Sequence, residues 1–281
     1  MAWRASSSSD YLEEEMVAPV KSRAIVLRRY PLGETSRVVV CYTRDHGKVR
    51  LIAKGIRKGG GRFGAALDPF VVSGVVFYLR RGRGLSLVSQ AETEREFRSI
   101  RGDIVRQAHA AVALELVDRL VADQAPDPVL FDRMSEALAG FDASPEEDLR
   151  PLLWSFVLFL VDSLGYAPEL EKCVMCGRET VEGGGFSTES GGVVCAECAP
   201  AGCDFGPDVV TLLRGLRAGA EPSSMRDVSD GLGDEVGRSL VRLLEHHAGQ
   251  RLDLRSKAVL ESLKRARRSR EGRGPDQEEE N

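Results

Sequence analysis

The chain has 281 residues, 42% of them apolar and 29% charged, which is too long for one small module and too polar for a protein built in lipid, so two or three domains with a sizeable core are expected. Its longest apolar run, Leu152 to Val161, is broken by Ser155 and stops at Asp162, about half of what a bilayer crossing needs. The net charge of only −4 hides an asymmetry: from Lys21 to Arg62 there are twelve Lys or Arg residues against Glu34 and Asp45, whereas the stretch from Asp118 to Glu171 is acidic.

The first 19 residues combine the serine run Ser6 to Ser9 with Glu13, Glu14 and Glu15 and hold no apolar stretch of the secretory type, so they are expected to be a disordered extension of a cytoplasmic protein. From Val20 to Ala91, short β-branched runs separated by Gly-containing turns predict a small antiparallel barrel or sandwich. Five strands are expected, roughly Ser22–Arg28, Arg37–Thr43, Lys48–Lys54, Phe70–Leu79 and Gly84–Gln90. In the third, Val49, Leu51 and Ala53 take one face and Lys48, Arg50 and Lys54 the other, predicting a half-buried strand with a basic outer surface.

Past Asp103 the period becomes 3.6. Ile104, Ala108, Ala111, Val112, Leu116 and Leu120 are expected to line one face of a helix capped by Asp103. Further helices are predicted at Pro128–Gly140, at Pro145–Leu164 behind an S-x-x-E start signal from Ser144 and Glu147, at Pro207–Ala218 and at Leu232–His247. Trp154, Phe156 and Phe159 read as core. The basic run Lys264, Arg265, Arg267, Arg268, Arg270 is either a second phosphate contact or a solvated helix end, and the polar tail beyond it is expected to be disordered.

Cys173-Val-Met-Cys176 and Cys195-Ala-Glu-Cys198 stand eighteen residues apart, the spacing of a zinc ribbon. Each pair predicts a tight knuckle, with Gly177 free to take positive φ after the second ligand. Four thiolates close a tetrahedral shell around one Zn²⁺ with no open position, so the role is structural. A redox CxxC lacks thioredoxin-like context here, and an iron–sulfur site is the remaining alternative. Gly183 to Gly185, Phe186, Ser187 and Gly191-Gly192 predict a short hairpin between the knuckles. Cys203 is either a substitute ligand or a free thiol, and Cys41 reads as core.

The other candidate site is cationic. Lys54-Gly-Ile-Arg57-Lys58-Gly-Gly-Gly-Arg62 pairs glycines that let backbone approach phosphates with charges that displace their counterions. Lys48 and Arg50 on the same strand, Arg23 and Arg37 on the first two, and Arg80, Arg81 and Arg83 at the next hairpin complete the set. Few aromatics (Tyr30, Tyr42, Phe63, Phe70, Phe77, Tyr78) are placed to stack bases, so phosphate contact is expected to dominate. His46, His109 and His246-His247 carry no ligand or triad spacing, and no nucleophile–base set or P-loop can be assembled. The protein is therefore expected not to be an enzyme.

Several stretches, in order, resemble the RecO family of bacterial recombination mediators: Arg23-Ala-Ile-Val-Leu, Gly33-Glu-Thr-Ser-Arg37, Asp45-His-Gly-Lys48, Ala53-Lys54-Gly55-Ile56-Arg57-Lys58, Leu67-Asp-Pro-Phe70 and Gly165-Tyr-Ala-Pro168 before Cys173. That resemblance implies an α+β protein: an N-terminal five-stranded OB-fold β-barrel, then an α-helical domain with an inserted four-cysteine zinc finger. The corresponding divisions are 1–19 extension, 20–98 barrel, 99–170 and 205–268 helical, 171–204 zinc finger and 269–281 tail. It further implies binding of single- and double-stranded DNA, annealing of complementary strands, and cooperation with RecR so that RecA loads onto strands coated by single-stranded-DNA-binding protein, whose acidic C-terminal tail docks on the helical domain. A nucleoid-associated, cytoplasmic location follows from the same resemblance. The competing reading is a zinc-ribbon nucleic-acid-binding factor of transcription or translation.

Overall fold

The computed structural model describes residues 18–56, 63–80, 84–179, 184–198 and 203–271. Two compact units emerge: Met1–Phe97 with Val121–Ser135, and Arg98–Leu120 with Glu136–Asn281. Val121–Ser135, expected from the sequence to go with the helices, belongs to the barrel unit.

In the first unit the strands are β1 (Pro19–Leu32), β2 (Ser36–Thr43), β3 (Gly47–Ala53), β4 (Val71–Tyr78) and β5 (Ser86–Glu96), closed as a barrel in the order β1-β2-β3-β5-β4. All pairings are antiparallel except β3 with β5, where Leu51 faces Ser86 and Ile52 faces Leu87. This is the expected OB-like barrel. Alternation builds its interior: Ala24 and Val26, Val39 and Cys41, Val49, Leu51 and Ala53, Val75 and Phe77, and Val88 form one cluster. Cys41 is fully buried there, and desolvation pushes its thiol up to about 12.

The outer face of β2 and β3 departs from expectation. Val38, Val40 and Tyr42 are buried as completely as their inward neighbours, and the Val121–Ser135 segment reaches Tyr42. The Tyr42 hydroxyl donates to the Ala125 carbonyl at 3.3 Å and accepts from the Asp127 N–H at 3.0 Å. Lys48 and Arg50 both reach Asp123, at 3.6 and 3.0 Å. Lys48 is only 8% exposed, so this part of β3 is not an open basic surface.

The second unit holds the helices α1 (Arg98–Gly102), α2 (Ile104–Leu120), the later turns of α3 (Pro128–Ala143), α4 (Leu149–Ser163), α5 (Pro207–Arg217), α6 (Asp230–Ala248) and α7 (Arg255–Glu271), with the hairpin β6 (Gly185–Ser187) and β7 (Gly192–Val194). The Asp103 carboxylate accepts from the N–H groups of Val105 and Arg106 at 2.7 and 3.2 Å, a cap of about 1 kcal/mol. The expected apolar stripe of α2 is shifted: Ile104 is exposed, while Ala110, Ala113, Leu114 and Val117 join the core. His109 is buried with Nδ1 2.8 Å from the Val105 carbonyl, a satisfied core histidine. The S-x-x-E signal at Ser144 fails. Pro145 is extended and leads into a short 3₁₀ turn, Glu146–Asp148, before α4 starts without a side-chain cap. The Ser144 carbonyl instead accepts from the Arg106 guanidinium at 2.7 Å. The helix expected from Leu232 starts two residues earlier, because Ser229 caps α6 by accepting from the Leu232 N–H at 3.4 Å.

Candidate metal centre and nucleic-acid interface

Two knuckles bring the four cysteines together. In the first, the Gly177 N–H donates to the Cys173 carbonyl at 2.8 Å and Gly177 takes φ 72°; in the second, the Cys198 N–H donates to the Cys195 carbonyl at 3.0 Å. The β6–β7 hairpin sits between them as expected, with Phe186 paired to Phe205. The chain leading into the first knuckle is held by α5: Arg214 donates to the Leu170 carbonyl at 2.7 Å and Arg217 to the Pro168 carbonyl at 2.6 Å.

The sulfurs of Cys173, Cys176, Cys195 and Cys198 all lie within 4.8 Å of one another, and Cys176 and Cys195 are 3.8 Å apart. A tetrahedral ion with metal–sulfur bonds of about 2.3 Å sets its ligands about 3.8 Å apart, so the cluster can hold a metal ion. The Cys195 N–H, 3.4 Å from the Cys173 sulfur, leads the donors that bring this thiol down to about 6; the N–H groups of Cys176 and Met175 assist. Cys198 moves the other way, to about 12, through hydrogen bonds with Cys195 and Cys176. One thiolate is therefore prepared by backbone donors, whereas four together need a cation. Cys203 stands outside this set and packs against it beside Gly185.

On the barrel, the candidate cations divide by what they meet. Arg23 pairs with Glu94 at 2.8 Å and lies over the Phe131 ring. Arg44, in the turn after β2 and not singled out by the sequence pattern, pairs with Asp132 at 3.0 Å; with Asp123 on Lys48 and Arg50, three of the unit's basic residues are answered by carboxylates from one acidic segment. Arg37 and Lys54 make no ion pair among the described residues. They stand at one end of the barrel, since Arg37 is opposite Ala53 and Lys54 follows it. Arg80 has its carbonyl bound by Gln124 and its N–H by Ser86. Arg57, Lys58, Arg62, Arg81 and Arg83 lie outside the described residues, as do the side chains of Lys264, Arg267, Arg268 and Arg270. Of the six aromatics, Tyr42, Phe63 and Phe77 are core and Tyr30 is exposed.

The helical unit also contains a cavity of about 530 Å³ lined by Val112, Leu116, Leu153, Trp154 and Val157, with Arg150, Arg238, Lys257 and Arg265 among its charged residues. Among the described residues no helix is long and apolar enough to cross a membrane.

Barrel, helices and thiol cluster together define an OB-like barrel protein with a helical unit whose four cysteines could hold a metal ion. The model named "Recombination protein O N terminal" matches residues 16–97, and "Recombination protein O C terminal" matches residues 101–257. The chain is 36% identical over 253 residues to the DNA repair protein RecO of Symbiobacterium thermophilum, covering 86% of this chain and 97% of that protein. It is 35% identical over 242 residues to its namesake from Anaeromyxobacter dehalogenans strain 2CP-C (84% and 94%), and 38% identical over 223 residues to that of Rubrobacter xylanophilus (77% and 88%). The chain belongs to the RecO family, whose curated members are named for DNA repair.

Proposed function

We propose that the protein is a mediator of DNA repair and homologous recombination that binds single- and double-stranded DNA and anneals complementary strands. With RecR it helps RecA load onto strands coated by single-stranded-DNA-binding protein. The observation that carries this reading is that the N-terminal RecO model matches an OB-like barrel whose one end presents Arg37 and Lys54 without carboxylate partners among the described residues, with the C-terminal model matching the chain that follows. Neutralising phosphates there, with Arg57, Lys58, Arg62, Arg80 and Arg81 as further candidates, lowers the repulsion that slows strand pairing. No bond is made or broken, so the protein is not an enzyme. The metal is one Zn²⁺ with a structural role, since four thiolates leave no open position for substrate. The C-terminal tail of single-stranded-DNA-binding protein docks in the helical cavity, whose apolar walls carry Arg150, Arg238, Lys257 and Arg265 alongside Asp234, Glu235 and Glu261. DNA as ligand places the protein at the nucleoid.

The test is oligonucleotide binding across a salt series with the Arg37→Glu/Lys54→Glu variant. Removing one cation from a phosphate should flatten the slope of log K against log salt by about 0.7 on single strands, and removing both should flatten it by about 1.4. Binding that is absent, or independent of salt, would overturn the reading.

A further inference from the structure

The β1–β2 hairpin carries something that phosphate binding leaves unused. Beyond a bulge at Val26/Arg28, β1 runs on through Arg28, Arg29, Tyr30, Pro31 and Leu32, paired only with β2, since its β4 partners end at Ile25. Every residue from Arg28 to Thr35 is exposed. Here Tyr30 is 38% and Leu32 39% exposed, two large apolar side chains on a solvated arm. Register puts them on one face: Arg28 is opposite Val40, Tyr30 opposite Val38 and Leu32 opposite Ser36. The Arg28 guanidinium lies over the Tyr30 ring, 5.6 Å from its centroid.

Charge says what this arm suits. From Arg28 to Arg37 the sequence holds three arginines and one carboxylate, Glu34. Arg29 is paired with Asp68. Arg37 is opposite Pro31 and so stands on the other face of the ribbon from Tyr30, which leaves Arg28 as the cation on the Tyr30 face. An exposed aromatic beside a cation matches what single-stranded nucleic acid offers: a π-face that any base carries, with a phosphate next to it. In a duplex those faces are already stacked on one another.

We propose that the Arg28–Leu32 arm is a stacking platform for single-stranded DNA, with an unpaired base on the Tyr30 ring, Leu32 beside it, and Arg28 on the neighbouring phosphate. It rests on the DNA-binding reading and adds strand preference to it: the arm favours unpaired over paired DNA.

The experiment compares wild type, Tyr30→Ala and Tyr30→Phe in binding to a 2-aminopurine-labelled single strand and to a duplex of the same sequence. Loss of one stacked base costs about 1–3 kcal/mol, so Tyr30→Ala should bind the single strand roughly tenfold more weakly and lose the 2-aminopurine quenching, with duplex affinity within about twofold of wild type. Tyr30→Phe should keep both the affinity and the quenching. Equal weakening on both DNAs would overturn the proposal, because the arm would then serve charge or shape alone. So would a Tyr30→Ala variant indistinguishable from wild type, the result expected if the arm instead adds to a partner protein's sheet. If wild type bound neither DNA, the parent reading would fall as well.

Discussion

Replacing Cys176 by alanine removes one of four sulfurs from a site whose others stay in place. Cys176 is exposed, so the change opens no buried cavity, and the loss should be almost wholly that of a ligand. Structural zinc contributes about 10–16 kcal/mol in small zinc domains; a quarter share is about 2.5–4 kcal/mol, or two to three decades in Kd. Zinc bound at one per chain in the wild type should therefore be stripped from Cys176→Ala by a chelator at concentrations two to three decades lower. The structural consequence should be local. The segment's own buried cluster is small, Cys173, Val194 and Cys195, so hydrogen exchange should accelerate over Glu169–Phe205 while the amides of α2 and α4 keep wild-type protection. A variant that held zinc as tightly as wild type and kept its protection over that segment would refute the four-thiolate assignment.

Cys203→Ala should leave zinc stoichiometry at one, because its sulfur is outside the four; metal analysis after gel filtration decides. Gly47→Ala should lower stability by at least about 2 kcal/mol in denaturant unfolding, since Gly47 has φ 65° and an added Cβ would lie 2.4 Å from the Ala125 carbonyl carbon. Glu115 ties α2 to the start of α7, accepting from the Ser256 hydroxyl at 2.6 Å and the Ser256 N–H at 3.0 Å. Burial works to raise its carboxyl, but these bonds and those from Arg119 and Arg255 hold it below the usual value. Glu115→Gln should cost about 1–3 kcal/mol in thermal melts. At Asp148, hydrogen bonds from the Arg226 guanidinium at 2.6 and 2.7 Å hold the carboxyl below its ordinary 3.8. A depressed folded value means that the pair stabilises fully above pH 3.8 and that the contribution fades as pH falls through the lowered value. The gap between wild type and Asp148→Asn should accordingly be constant above about pH 5 and close below pH 3.8 in acid unfolding followed by circular dichroism.

Local chemistry was legible in the chain. Two CxxC pairs with a following glycine specify a knuckle whatever surrounds them, and the structure brings those four sulfurs together. Val49, Leu51 and Ala53 alternate, and they do fill the barrel. What alternation cannot say is whether the opposite face meets water or another segment. Lys48 and Arg50 looked solvated, yet Asp123, more than seventy residues along the chain, answers both. A signal existed in β2, where Val38-Val-Val-Cys-Tyr42 is apolar without a break, the mark of a strand covered on both faces. Ser144 failed as a helix start because Pro145 is extended and a 3₁₀ turn, Glu146–Asp148, comes before α4, which a four-residue pattern does not reveal. The exposure of Tyr30 depends on where the β4 partners stop, a matter of register that composition does not encode.

The central claim is that the barrel end bearing Arg37 and Lys54 drives strand pairing. Its most direct test is the annealing of two complementary oligonucleotides coated with single-stranded-DNA-binding protein, comparing wild type with Arg37→Glu/Lys54→Glu after circular dichroism has shown both to be folded. Rapid annealing by wild type is expected, steeply weakened by salt and at least about tenfold slower with the variant. No acceleration by wild type, or equal acceleration by the folded variant, would contradict it.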